Sequence, residues 1–292
     1  MPTGTTHDLS GGLGGPCRLA RLVRSRGPLP PVPSAVPALL PVDDLPDPQR
    51  RYAKLLTAAA MRDVDAESVP VAAALARHVG GELPESVDLP GLADAADGFG
   101  HKRPHYAGLF AYAAVRAGLD ASSLLDELDA RSGSATWPAD GMPAAEDGRA
   151  LATSFDLLAL AAAGRRVEEA RAVFTRLAGQ RAMLIEDGAN PEPRWYAELV
   201  LLHALASFAA LDGDAGLRDA AAGIAAYHQA ETQPDHATGQ PWAVHAALLS
   251  ADTFPLADLL LLPASLPGGG EGIGRILLAD AALALRTTGF VG

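Results

Sequence analysis

The residues best equipped for chemistry gather in one stretch, 194–245. In the loop ETQPDHATGQPW (231–242), Asp235 and His236 stand side by side, and the preceding helical text RWYAELVLLHALASFAALDGD opens with Tyr196 and Glu198. A histidine titrates near neutrality and can take or give a proton. Asp235 is a candidate for orienting it, although adjacent residues seldom bond side chain to side chain in the catalytic geometry. Tyr196 or Glu198 would then supply the complementary acid or base. The loop itself is costly: two prolines, a glycine and seven polar or ionisable side chains occupy a turn that a few residues could make, and polar loops of that density tend to carry function. The competing reading has Asp235 capping a turn and His236 on the surface.

Further polar residues precede or open other Ala/Leu-rich segments. His105 and Tyr106, Asp156, Arg194, and Gln240 with Trp242 are the candidates for substrate binding. If their helices converge, positive helix N-termini and polar side chains meet over an apolar floor, which is what a small-molecule site needs; otherwise they are caps and solvated loop residues. Trp242 shares a helix face with His245 and Leu249 and doubles as a core residue. His203 falls seven residues after Tyr196, two turns along one face, and on so apolar a helix reads as a satisfied core histidine.

Other chemistries are weakly supported. Zinc would take His101 or His105 with His236 and Glu198, since three N/O ligands and an open position suffice, but there is no HExxH and no close His-x-His pair, so the site is expected to work without metal or other cofactor. Ser154 lacks a GxSxG elbow. The run GGGEGIGR lacks the GKS/T of a phosphate loop and reads as a linker. The single cysteine, Cys17, excludes internal disulfides and multi-cysteine metal sites.

The elements that must position these residues are helical. Alanine dominates the apolar content, aromatics are only 5%, and clusters of Val, Ile and Thr are scarce, a composition that favours helices over strands. Residues 1–46 are Gly-, Arg- and Pro-rich in turn and cannot form a regular helix; Leu29, Val32, Val36, Leu39 and Leu40 suit an extended arm lying on a helical body. Residues 47–292 form that body. Helices are expected after Asp47-Pro48, from Asp65 to a stop at Gly80-Gly81, and then in pairs whose first members start near Pro104, Arg149, Arg194 and Pro241, with a last helix over 275–286. That is a repeat of about 45 residues. The first helices are apolar all round, whereas their partners, such as RRVEEARAVFTRLAGQ, are amphipathic.

An apolar ring of inner helices inside an amphipathic outer ring fits this contrast better than an open solenoid. In helix-pair spacing over about 48–290 the chain resembles the α/α-toroid proteins, a group that includes terpenoid cyclases, protein prenyltransferases and several carbohydrate-active enzymes. The resemblance implies an all-α toroid of helical hairpins with a pocket at the ends of the inner helices. It carries no activity, because the aspartate-rich and Gln-Trp signatures of terpenoid cyclases are absent.

The leading functional reading is an acid/base enzyme, a lyase or hydrolase, acting on a small polar or sugar-like molecule. The rival is a non-catalytic helical-repeat scaffold for a protein or peptide. A net charge of −12 argues against nucleic acid, no apolar run approaches the ~20 residues of a membrane span, and the arginines near the N-terminus lack the apolar segment of a secretory signal. A soluble cytoplasmic protein is therefore expected, its oligomeric state open.

Overall fold

The computed structural model describes residues 39–47, 49–82, 106–132, 149–179, 191–231 and 272–288, all within the unit Pro31–Gly292. For 106, 132, 149–153, 191–199, 228–231 and 288 the description is of the backbone. The described elements are all helical, with no strand among the described residues. They are α1 (Gln49–Met61), α2 (Pro70–Gly80), α3 (Tyr106–Arg116), α4 (Ser122–Ser132), α5 (Arg149–Ala162), α6 (Val167–Ala178), α7 (Pro191–Asp212), α8 (Ala215–Glu231) and α9 (Ile273–Thr288), with single 3-10 turns at Val42–Asp44 and Val64–Ala66. None of the described helices is long and apolar enough to cross a membrane.

Local chemistry sets most boundaries. Gly81 adopts φ 89°, the left-handed conformation that ends a helix without a Cβ clash, and its N–H bonds the carbonyls of α2's last turn. The start expected at Asp65 is instead a 3-10 turn, and α2 begins at Pro70, whose missing N–H costs nothing in the first turn. Asp120 accepts from the Ser122 amide at 3.0 Å and its hydroxyl at 2.7 Å just before α4. Asp214 does the same for the Gly216 and Leu217 amides at the start of α8. α7 starts at Pro191, three residues before the expected Arg194.

Burial divides the helices into two kinds. Residues 71–76 of α2, 108–114 of α3, 154–162 of α5, 200–210 of α7 and 276–286 of α9 are buried without interruption, so these helices are enclosed on every side. The others bury one stripe: Tyr52, Ala53, Leu56 and Ala60 on α1, Leu124, Leu125 and Leu128 on α4, Ala170, Val173, Phe174 and Leu177 on α6, and Leu217, Ala221, Ile224 and Ala225 on α8. Among the enclosed helices, α2 packs on α3, α3 on α5, α5 on α7, α7 on α9, and α9 back on α2. The one-striped helices cover them: α1 lies on α2 and α9, α4 on α5 and α3, α6 on α5 and α7, and α8 on α7 and α6.

Small side chains permit this packing. α3 and α5 make the most extensive contact of any pair of described helices, and a Cβ at Gly108 would sit 2.5 Å from the Asp156 amide nitrogen and from the Phe155 carbonyl carbon. Between α6 and α7, Phe174 and Phe208 stack with ring centroids 4.5 Å apart. Arg171 of α6 grips the last residue of α7 with two bonds, Nε to Asp212 Oδ2 at 3.1 Å and a terminal nitrogen to Oδ1 at 2.6 Å. The Asp212 side chain is 1% exposed and that of Arg171 12%. Residues 39–45 lie against the end of α9: the Leu40 amide donates to the Arg286 carbonyl at 3.1 Å, and Arg286 Nε donates back to the Leu40 carbonyl at 3.0 Å.

Two substitutions test the packing. Gly108→Ala is expected to cost about 1–3 kcal/mol, because the obstacle is helix backbone and the α3–α5 pair must spread. Asp212→Ala is expected to cost about 2 kcal/mol, because the half-buried Arg171 guanidinium loses its two bonds to α7 and keeps only its pairing with Glu168. Urea unfolding of each variant checks both, and wild-type midpoints would contradict them.

Candidate functional site

Asp156 lies in the middle of α5, on the face pressed against Gly108 of α3, and is 3% exposed. A carboxylate there has lost most of its water. Arg131, in the last turn of α4, replaces part of it through a two-pronged contact, Nε to Oδ2 at 3.0 Å and a terminal nitrogen to Oδ1 at 2.9 Å. Burial is the larger influence, and despite the opposing pull of Arg131 it lifts the Asp156 carboxyl to a pKa of about 6. The Arg131 side chain is 47% exposed. The pair thus joins a carboxyl able to hold or release a proton near neutrality to a guanidinium that reaches solvent. Next to it, Ser154 is fully buried and its hydroxyl has no hydrogen-bond partner.

A second polar centre is sealed in the interior. Asp280 of α9, 1% exposed, receives the Tyr112 hydroxyl of α3 on Oδ1 at 2.6 Å and the Ser207 hydroxyl of α7 on Oδ2 at 2.7 Å. His203 Nε2, one turn before Ser207, lies 3.0 Å from Oδ2 and donates to it as the Nε2–H tautomer. Burial first, and then the charge of Asp280, hold the Tyr112 hydroxyl well above its ordinary range, so it remains a donor. His203 is fully buried, as expected of a core histidine. With every member at 2% exposure or less, this centre fixes three helices relative to one another.

Of the residues singled out by their chemistry, Asp156 is fully described, and it sits buried in an ion pair instead of lining an open surface. Tyr106 is the first residue of α3, and Arg194, Tyr196 and Glu198 fall within the first three turns of α7; their side chains lie outside the description. Asp235, His236, His105, Gln240 and Trp242 lie outside the described residues, as does His101 of the zinc alternative. Among the described residues no group of three or more His, Cys, Asp or Glu side chains could hold a metal ion. Sequence reasoning missed Arg131 and Asp280. Asp280 had a signal, a lone acid in the apolar run ILLADAALAL; Arg131 had none, being one charge on an amphipathic helix.

The lifted Asp156 pKa has a consequence for stability. A group that binds its proton more tightly folded than unfolded favours the fold most at low pH, and that contribution is lost as the pH rises from the unfolded value of 3.8 through about 6. The difference corresponds to roughly 3 kcal/mol. Asp156→Asn mimics the protonated carboxyl, so the variant is expected to match wild type near pH 4 and to exceed it by up to that amount at pH 7.5. Denaturant unfolding over this range decides it, and a gap that does not grow with pH overturns the assignment.

No family model matches the chain, and no curated protein and no solved structure is significantly similar to it.

Proposed function

We propose that the protein is an acid/base enzyme, a lyase or hydrolase, acting on a small polar or sugar-like molecule, built on an α/α-toroid with an extended N-terminal arm. The observation that carries this reading is the Asp156–Arg131 pair: a carboxyl at a pKa of about 6 beside a half-exposed guanidinium. A general acid or base works best when its pKa lies near the operating pH, and displacement of a carboxyl by burial plus one specific charge is a recurrent mark of functional sites. The circuit of enclosed helices, α2–α3–α5–α7–α9, supports the toroid.

In this reading the half-exposed Arg131 binds a negatively polarised oxygen of the substrate, and the buried Asp156 exchanges its proton as the substrate draws Arg131 away from it. His236, oriented by Asp235, with Tyr196 and Glu198, provides the complementary acid or base, and His105, Tyr106, Arg194, Gln240 and Trp242 hold the substrate. No cofactor is invoked, and zinc on the histidines is the metal that would be tested.

Chromogenic esters and glycosides serve for hydrolysis, and uronic-acid glycosides, whose elimination product absorbs in the ultraviolet, for lyase chemistry. Turnover by wild type is expected to have a kcat/KM inflection near pH 6. Asp156→Asn is expected to abolish that inflection and reduce kcat/KM by about 10²–10⁴-fold, with His236→Ala comparably impaired and wild type unaffected by a chelator. If the folded protein turns over neither panel, or if Asp156→Asn keeps the wild-type profile, the non-catalytic scaffold becomes the better reading.

A further inference from the structure

Arg116 ends α3 and is only 8% exposed. Its guanidinium carbon lies 5.9 Å from the ring centroid of Tyr112, one turn earlier, and its Nε is buried with no hydrogen-bond partner. Among the described residues no carboxylate pairs with it. Buried arginines ordinarily meet a carboxylate or a set of carbonyls, because a desolvated charge without a partner is costly, and contact with a tyrosine face offsets only part of that cost.

The surroundings deepen the deficit. α2 packs on α3, and near the end of α2 the His78 Nε2 is also buried without a hydrogen-bond partner. Arg286 of α9, 9% exposed, donates to the carbonyl of Val79, the next residue after His78. That bond explains Arg286, which caps the negative end of α2 and ties down Leu40; it does not explain Arg116. Burial first, then the guanidiniums of Arg116 and Arg286, hold the His78 imidazole below its usual range, and no anion opposes them. Three nitrogen-rich side chains therefore share one corner of an acidic protein. The corner lies eight residues along α3 from Gly108, or roughly 12 Å at the rise of a helix, and is distinct from the Asp156–Arg131 pair.

We propose that this corner binds a small oxyanion, a phosphate or carboxylate group, held in the fork of Arg116 with His78 Nε2–H as a second donor. The anion supplies the counter-charge that no described residue provides, and Arg286 adds attraction while remaining committed to its carbonyls. Neutral ligands gain nothing there.

The test uses the full chain, melted in inorganic phosphate or in acetate with ionic strength held constant by sodium chloride, while NMR follows the His78 imidazole. Phosphate, acetate or both are expected to raise the melting temperature saturably, by about 5 °C at a hundred times the dissociation constant, and to move the His78 titration upward. Response to phosphate alone identifies a phosphoryl group, response to acetate alone a carboxylate, and response to both a general oxyanion site. Arg116→Met is expected to lose both effects while melting no lower than wild type in anion-free buffer, since it removes an unpaired buried charge. Arg116→Lys, which keeps the charge and loses the fork, is expected to weaken phosphate at least tenfold and guards against a Met variant that does not fold. The proposal is overturned if neither anion acts beyond the chloride control, or if the Met variant, or in its place the Lys variant, responds as wild type does.

Discussion

The packing of α3, α7 and α9 turns on one desolvated carboxylate. Asp280 sits where a charge should be expensive, and three donors on two other helices converge on it: Tyr112 from α3, His203 and Ser207 from α7. The apolar surfaces around it are largely alanine and leucine, and such surfaces slide and rotate against one another at small cost. A hydrogen-bonded centre with fixed directions removes that freedom, because any rotation of α9 would leave several buried groups unsatisfied at once. The apolar burial drives association, and the polar centre selects one register.

The same physics separates Asp280 from Asp156. Asp280 is surrounded by donors from elements that are themselves buried, so its role is structural. Asp156 is nearly as deep, yet its partner comes from a covering helix whose side chain reaches water. Burial then outweighs pairing, and the carboxyl is left close to neutrality in its proton affinity. Two carboxylates on helices of one kind thus diverge in chemistry according to which layer supplies the partner.

The sequence made the helices legible and left their neighbours obscure. Alanine-rich text without a polar face marked α3, α5 and α7 as enclosed, and Gly81 marked the end of α2 through a conformational preference that acts within a few residues. Asp65 misleads as the start of α2, which begins at Pro70, because the turn at Val64–Ala66 imitates a helix start in its spacing of acid and apolar residues. Asp156 was legible only as a polar residue near the start of an apolar helix, a candidate for substrate binding. Its partnership with Arg131, its closeness to Gly108 and the convergence on Asp280 depend on how helices far apart in the chain are rotated against each other, and no local pattern encodes that angle.

The fastening of residue 40 to residue 286 bears on how the chain reaches its native state. α9 is held from the opposite end of the chain: Leu40 bonds Arg286, the Gln49 side chain donates to the Leu285 carbonyl at 2.6 Å, and Arg275 Nε reaches Glu67 at 2.8 Å. These contacts span 208 to 246 positions, so an all-helical protein acquires the long-range topology more usual in β proteins, and its last steps carry a large loop-closure entropy. During synthesis α1 emerges well before α9, a delay of roughly ten seconds or more at ordinary elongation rates. Through that interval the apolar stripe of α1 and the flank of α2 lack their final partner, which makes this seam the place where a nascent chain is most open to chaperones and to misassembly.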